Sequence, residues 1–142
     1  MIQKLFVASK GIIIHDGKTL VLQEGKSDRE HVNDGKWQFP GGRLNFGEHP
    51  FEGLEREVFE ETGLKVKNYK PFFVDHWMPK PFPEENWQIV GVYYLCECDD
   101  VSEVKLSHEH KNYAWVNMDN MEEYNFLPQD RKAILSVKEY LK

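Results

Sequence analysis

At 142 residues, 40% apolar, 30% charged and 13% aromatic, the chain has the composition of one globular domain whose core needs no disulfide or metal staple. Lysine and arginine total 18 against 24 acidic residues, a formal net charge of −6, and no basic run occurs, so a nucleic-acid polymer is excluded as the expected partner. No apolar stretch is long enough to span a bilayer and Met1–Lys10 lacks a signal-peptide core, so no membrane partner and a cytoplasmic location are expected.

In chain order, Leu5–Ile14 is β-rich and meets the turn His15-Asp16-Gly17-Lys18, with Thr19–Gln23 as its hairpin partner. A polar loop, Glu24–Lys36, leads to the short apolar piece Trp37–Phe39, which Pro40-Gly41-Gly42 stops. Pro50–Thr62 is predicted to be a helix. Pro50 suits its first turn, Phe51, Leu54 and Val58 recur at helical spacing, and Gly63 follows as a natural terminator. Two long β-rich runs come next, Val66–Trp77 and Trp87–Cys98, separated by the Pro- and aromatic-rich loop Met78–Asn86. The second run carries apolar groups on both faces, as a central strand does. Asp99–Lys111 is a polar loop, Asn112–Val116 a short strand, and Pro128–Leu141 a second helix with Ala133, Ile134, Val137 and Leu141 as its apolar stripe. With no repeat or linker, residues 1–142 are expected to form a single α/β domain in which antiparallel hairpins dominate a helix-covered sheet. Cys96 and Cys98 share a strand face and lack the second pair that a zinc site needs, so they read as ordinary strand residues.

The chemistry is concentrated in the first helix. At about 100° per residue, Phe51, Leu54 and Val58 define its core face, while Glu57, Glu60 and Glu61 crowd a separate arc of about 100°. Like charges at i, i+4 destabilise a helix by about 0.2–0.5 kcal/mol, and acidic groups near the C-terminal end oppose its dipole. Within the predicted helix no Lys or Arg stands four residues further on to relieve these glutamates; Lys65, four after Glu61, lies beyond Gly63. A solvated acidic face is one reading of such a cluster; a seat for a hard divalent cation is the other.

The flanking residues favour the second. Gly42, Glu48, Arg56-Glu57-Val58, Glu60-Glu61 and Gly63-Leu64 match, at every specified position, the pattern G-x5-E-x7-R-E-U-x-E-E-x-G-U, with U aliphatic. Seven of the positions demand one residue type, a coincidence of about one start site in a billion at ordinary usages. The segment 42–64 resembles the signature of the Nudix hydrolase family, and the chain's size resembles the compact MutT-like members. The resemblance implies a Nudix-type α/β/α sandwich with a mixed β-sheet between helices. It implies Mg2+-dependent hydrolysis (Mn2+ able to substitute) of a P–O–P linkage in a nucleoside triphosphate or another nucleoside-diphosphate-linked substrate. An ADP-ribose or nucleotide-sugar pyrophosphatase is the alternative enzyme, with Pro79 as its only hint, and a non-catalytic nucleotide-binding module is the alternative from another class.

By the same resemblance Glu57 and Glu61 are the principal metal ligands, with Glu60 sharing the site or ordering its waters and the Gly41 carbonyl adding a ligand. Arg56 orients the glutamates, Glu48 pairs with Arg56 in preference to joining the metal shell, and a further carboxylate outside the signature serves as ligand or base, for which Glu109 is the choice. Trp77, Phe82 and Trp87 are candidate stacking groups for a nucleobase, or equally core caps or interface residues. A monomer or a homodimer is expected, with a small nucleotide-like diphosphate as the partner.

Overall fold

The opening β-rich run forms a strand longer than its hydrophobic pattern marks: β1 is Ile2–His15, followed by β2, Lys18–Glu24. Asp16 and Gly17 both take positive φ (51° and 74°), the backbone that a tight two-residue hairpin requires. Then come β3 (Trp37–Gln38), β4 (Gly41–Arg43), α1 (Pro50–Thr62), β5 (Val66–Trp77), β6 (Glu85–Cys98), β7 (His110–Asn117) and α2 (Pro128–Tyr140). The computed structural model describes residues 2–25, 34–79 and 85–140, so much of the Glu24–Lys36 and Met78–Asn86 loops, together with Phe82 and Leu141, lies outside the described residues. A 3₁₀ turn at Met118–Glu123 has no counterpart among the predicted elements; its capping bond is Asp119 N–H to the Asn117 side chain, and Met118 and Met121 are buried. It is too short for helical periodicity to register.

The strands lie in the order β3-β2-β1-β6-β5, with β4 beside β1 and β7 beside β2. Antiparallel pairs dominate as expected, and the longest pairing is parallel: Ile2 through Ile13 of β1 run alongside Glu85 through Cys96 of β6. A parallel pair needs a crossover, and everything from β2 to β5, including α1, supplies it. The sheet is therefore mixed, with β6 flanked by β1 and by the antiparallel β5.

Alternation along the strands sends neighbouring residues to opposite faces. Ile12, Val21, Phe39 and Tyr93 pack with Ala133, Ile134 and Val137 of α2. Ile13, Leu20, Leu22, Tyr94, Cys96 and Cys98 pack with Leu54 and Val58 of α1. Both cysteines are free and buried in that second layer. The result is a helix–sheet–helix sandwich, and none of its described helices is long and apolar enough to cross a membrane. Near the start of β1 the face shared with α2 continues as Phe6, Ala8 and Lys10, beside Ile89 of β6, and there it forms the floor of a cleft bordered by β4.

Leu54 is fully buried and joins α1 to the sheet. Leu54→Ala is expected to lower the unfolding free energy by about 2–5 kcal/mol, measured by urea denaturation.

Candidate active site

Helix α1 is fixed at both ends. The His49 side chain accepts from Phe51 N–H at 3.1 Å, and Gly63, at φ 76°, closes the other end by donating to the Phe59 carbonyl. With Leu54 and Val58 turned into the core, the next side of the helix faces β4. Glu61 is 5% exposed, and its Oε1 accepts the Gly41 N–H at 2.7 Å. Glu57 stands one turn earlier, half-buried against Gly42. Two glycines make this approach possible. A Cβ on Gly41 (φ 134°) would stand 2.2 Å from the Ser9 carbonyl oxygen, and one on Gly42 would stand 2.6 Å from Glu57 Oε2.

Arg56 clamps the acidic residues. Its Nε and Nη2 donate to the two oxygens of Glu48 at 2.7 and 3.0 Å; Nη1 donates to Glu57 at 2.9 Å and reaches Glu60 at 3.3 Å. The clamp holds the Glu48 carboxyl down at about 2, with help from the Asn45 N–H. Relief of the glutamate crowding thus comes from Arg56, one residue before Glu57 and four before Glu60. Gly53 leaves room for the loop that carries Glu48, since a Cβ there would stand 2.2 Å from Leu44 Cδ2.

Relief is incomplete at the buried pair. Burial pushes the Glu61 carboxyl up to about 8, against the pull of the Gly41 N–H and Lys10, and the neighbouring charges of Glu57 and Glu109 push the same way. Burial also raises Glu57, against Arg56. Glu109 comes from the loop before β7. That loop is tied to the end of α1 by Lys105 N–H to the Thr62 carbonyl and Ser107 N–H to the Glu61 carbonyl, while the Glu109 carbonyl accepts from Gly25 N–H. Its exposed carboxylate lines the same cleft as Glu57 and Glu61.

Beneath these acids lies a buried polar network that the sequence pattern did not mark. Lys10 Nζ donates to Gln38 Oε1 at 2.8 Å and lies 3.7 Å from Asp130; Gln38 Nε2 donates to Glu24 and lies 3.1 Å from His110 Nε2. His110 Nε2 is in turn 3.7 Å from Glu61, and burial, seconded by Lys10, pushes His110 down to about 4, so the ring is neutral at pH 7. Asp130 of α2 accepts from Phe39 N–H at 3.0 Å and from the Tyr93 hydroxyl. The available signal was Lys10 itself, a charge on the core-facing side of an apolar strand.

The cleft has a volume of about 660 Å3, and Phe6, Arg43, Trp77, Glu57, Glu61 and Glu109 are among its lining. Trp77 is seated where β6 has Gly91, whose added Cβ would lie 2.5 Å from the indole. Trp87 does not line the cleft but supports Phe6 edge-on, with ring centroids 5.2 Å apart. Glu60, its side chain 57% exposed, turns to Arg56 and is also absent from the lining. Phe6, Arg43 and the fully exposed Phe46 were not anticipated as lining residues.

The donor set suits a hard divalent cation. Its groups are carboxylates, and two of them are drawn from water without full compensation; among the described residues no three His, Cys, Asp or Glu side chains are grouped so as to hold a metal by themselves, so waters and ligand oxygens would complete its shell. A cation such as Mg2+, which keeps waters and takes phosphate oxygens, fits an open set of this kind.

A mixed sheet between two helices, with an acid-lined cleft at the first, defines the class, and the chain belongs to the Nudix family: the NUDIX domain matches residues 5–137. It is 30% identical over 128 residues to the nucleoside triphosphatase NudI of Escherichia coli, and equally to that of Shigella flexneri, across 87% of this chain and 89% of each relative. Its fold is similar to a MutT Nudix hydrolase from Burkholderia pseudomallei, with TM-score 0.77 and 23% identity over 94% and 98% of the two chains. A MutT protein from Methanosarcina mazei Go1 gives TM-score 0.75 and 26% identity over 99% and 98%. An ADP-ribose pyrophosphatase from Streptococcus suis gives 0.66 and 19% over 94% and 91%. The chain is thus an enzyme of the kind that hydrolyses diphosphate linkages in nucleotide-like compounds.

The glycine geometry separates two variants. Gly42→Ala pushes only the end of the Glu57 side chain, so calorimetry is expected to show divalent-cation affinity lowered about 10–100-fold with thermal stability near wild type. Gly41→Ala collides with backbone, and its expected outcome is loss of the cooperative thermal transition.

Proposed function

We propose that this chain is a Mg2+-dependent nucleoside triphosphate pyrophosphohydrolase, releasing pyrophosphate and a nucleoside monophosphate. The observation that carries the reading is the pair Glu57 and Glu61, drawn out of water on one helix and lining one cleft with Glu109. The NudI relatives, named as nucleoside triphosphatases, support the choice of substrate class. The named ADP-ribose pyrophosphatase, at 19% identity, shares the fold and does not argue for that substrate.

In this reading Glu57 and Glu61 hold the cation, with the Gly41 carbonyl as a further oxygen donor and Glu60 ordering waters from the outer side. When bound, Mg2+ supplies charge neutralisation of the phosphates and a more acidic water. Arg56 keeps Glu57 and Glu60 in place through charge-assisted hydrogen bonds, and Glu48 keeps Arg56 in place. Glu109 takes a proton from the attacking water as its oxygen bonds to phosphorus. The bridging P–O bond breaks, and its electron pair leaves on the departing phosphate. Trp77, on its seat over Gly91, offers an apolar wall to the nucleoside. A cytoplasmic location is part of the same proposal.

A panel of nucleoside triphosphates, ADP-ribose and nucleotide sugars with Mg2+ tests the reading by product identity. Pyrophosphate plus monophosphate is the expected result, and AMP plus ribose 5-phosphate would transfer the assignment to the ADP-ribose class. Glu61→Gln is expected to abolish turnover, and Glu109→Gln to slow it by about 10²–10⁴-fold. Binding without turnover in the wild type would leave a non-catalytic module.

The protonation of Glu61 fixes a pH dependence. Its folded pKa, about 8, lies above the ordinary 4.5, so the metal-free folded state holds more protons in that window and loses stability as pH rises through it. A cation must displace that proton, so its binding tightens as pH approaches 8. Thermal melts are expected to show a larger Mg2+-induced rise in Tm at pH 8 than at pH 5.5. Equal increments at the two pH values would remove Glu61 from the metal shell.

A further inference from the structure

We infer that Arg43 is a phosphate-binding residue of this cleft, taking a phosphoryl group other than the one beside Glu57 and Glu61. The inference rests on the reading of the cleft as a diphosphate site. Arg43 ends β4, two residues after Gly41, and its carbonyl accepts Arg56 Nη2 at 3.2 Å, so the base of the side chain is tied to the clamp that holds Glu57. Its guanidinium carbon sits 4.4 Å from the centroid of Phe6 and 5.6 Å from that of Trp87, and those two rings brace each other edge to face. Stacking therefore holds the guanidinium, while its N–H donors are left over.

The neighbouring cations differ in this respect. Arg56 spends its donors on Glu48, Glu57, Glu60 and the Arg43 carbonyl, and Lys10 is buried against Gln38 and Asp130. Among the described residues the Arg43 side chain makes no ion pair and donates no hydrogen bond, yet it lines the cleft. The other charged groups lining that cleft are Lys10 and the acids Glu24, Glu57, Glu61 and Glu109. A polyanion held only through a cation on the carboxylates would leave its second phosphoryl group in a negative field. A planar fork with free donors supplies bidentate recognition at that place and sets the requirement for two linked phosphoryl groups.

The test is calorimetric titration with methylenediphosphonate, a non-hydrolysable diphosphate, in saturating Mg2+. Arg43→Gln is expected to weaken binding by about 10–100-fold, the worth of charge-assisted hydrogen bonds, and Arg43→Lys by less. Binding of Mg2+ alone is expected to be unchanged, and turnover of a nucleoside triphosphate to show the loss in KM, with kcat retained. A stacking role alone would leave methylenediphosphonate binding untouched. If Arg43→Gln binds methylenediphosphonate as wild type does, or loses affinity only for the nucleoside, the inference fails while triphosphate turnover by the wild type keeps the proposed function. If the wild type neither binds methylenediphosphonate nor turns over a triphosphate, both fall.

Discussion

A carboxylate pulled out of water beside other carboxylates is the constraint around which this molecule is arranged. Glu61 is 5% exposed, one turn from Glu57, and lines one cleft with Glu109; its Oε1 accepts the backbone N–H of Gly41 at 2.7 Å, and a neutral His110 stands 3.7 Å from its carboxylate. Burial of an ionised group is expensive unless charge and hydrogen bonds compensate, and here the metal-free compensation falls short, so the proton stays on to about pH 8. A site built only for stability would replace this residue with an apolar one. Under the proposed function a divalent cation supplies the positive charge that this carboxylate lacks.

Among the described residues the surrounding structure leaves the Glu61 carboxylate without a paired cationic side chain, while Arg56 serves its neighbours. The donors of Arg56 go to Glu48, Glu57, Glu60 and the Arg43 carbonyl rather than to Glu61. Glu48, acting from the loop before the helix, holds the guanidinium with two bonds and so keeps it at the outer edge of the acidic patch. The glycines of β4 contribute by what they lack: a side chain on Gly42 would occupy the space where the Glu57 carboxylate stands. Electrostatic frustration is thereby confined to the pair that faces the cleft.

Much of this was legible in the sequence, for a physical reason. The helix boundaries, the Asp16-Gly17 turn and the acidic arc depend on local periodicity and local backbone needs, which neighbouring residues encode. The parallel β1–β6 pairing was not legible, because period-two alternation says which face a residue takes and nothing about which strand lies beside it. The helical wheel placed Glu60 with Glu57 and Glu61 in one arc. What separates them is the position of β4 against α1, a tertiary fact that buries Glu61 and leaves Glu60 outside with Arg56. Arg43 was passed over because the signature leaves its position unspecified, and its stacking partners, Phe6 and Trp87, come from strands far away in the chain.

The polar network beneath the cleft shows how the last helix takes part in a site it does not line with carboxylates. Asp130, fully buried on α2, accepts the Phe39 N–H and the Tyr93 hydroxyl and lies near Lys10. Phe39 stands two residues before Gly41, and between them Pro40 restricts the backbone while its carbonyl accepts Gly11 N–H at 2.7 Å. The chain is therefore pinned on both sides of the turn that presents the Gly41 N–H to Glu61. An unpaired Asp130 or Lys10 in that position would be costly, so each fixes the other and the strand between them. By this route α2 helps set the position of a carboxylate on α1, on the opposite face of the sheet.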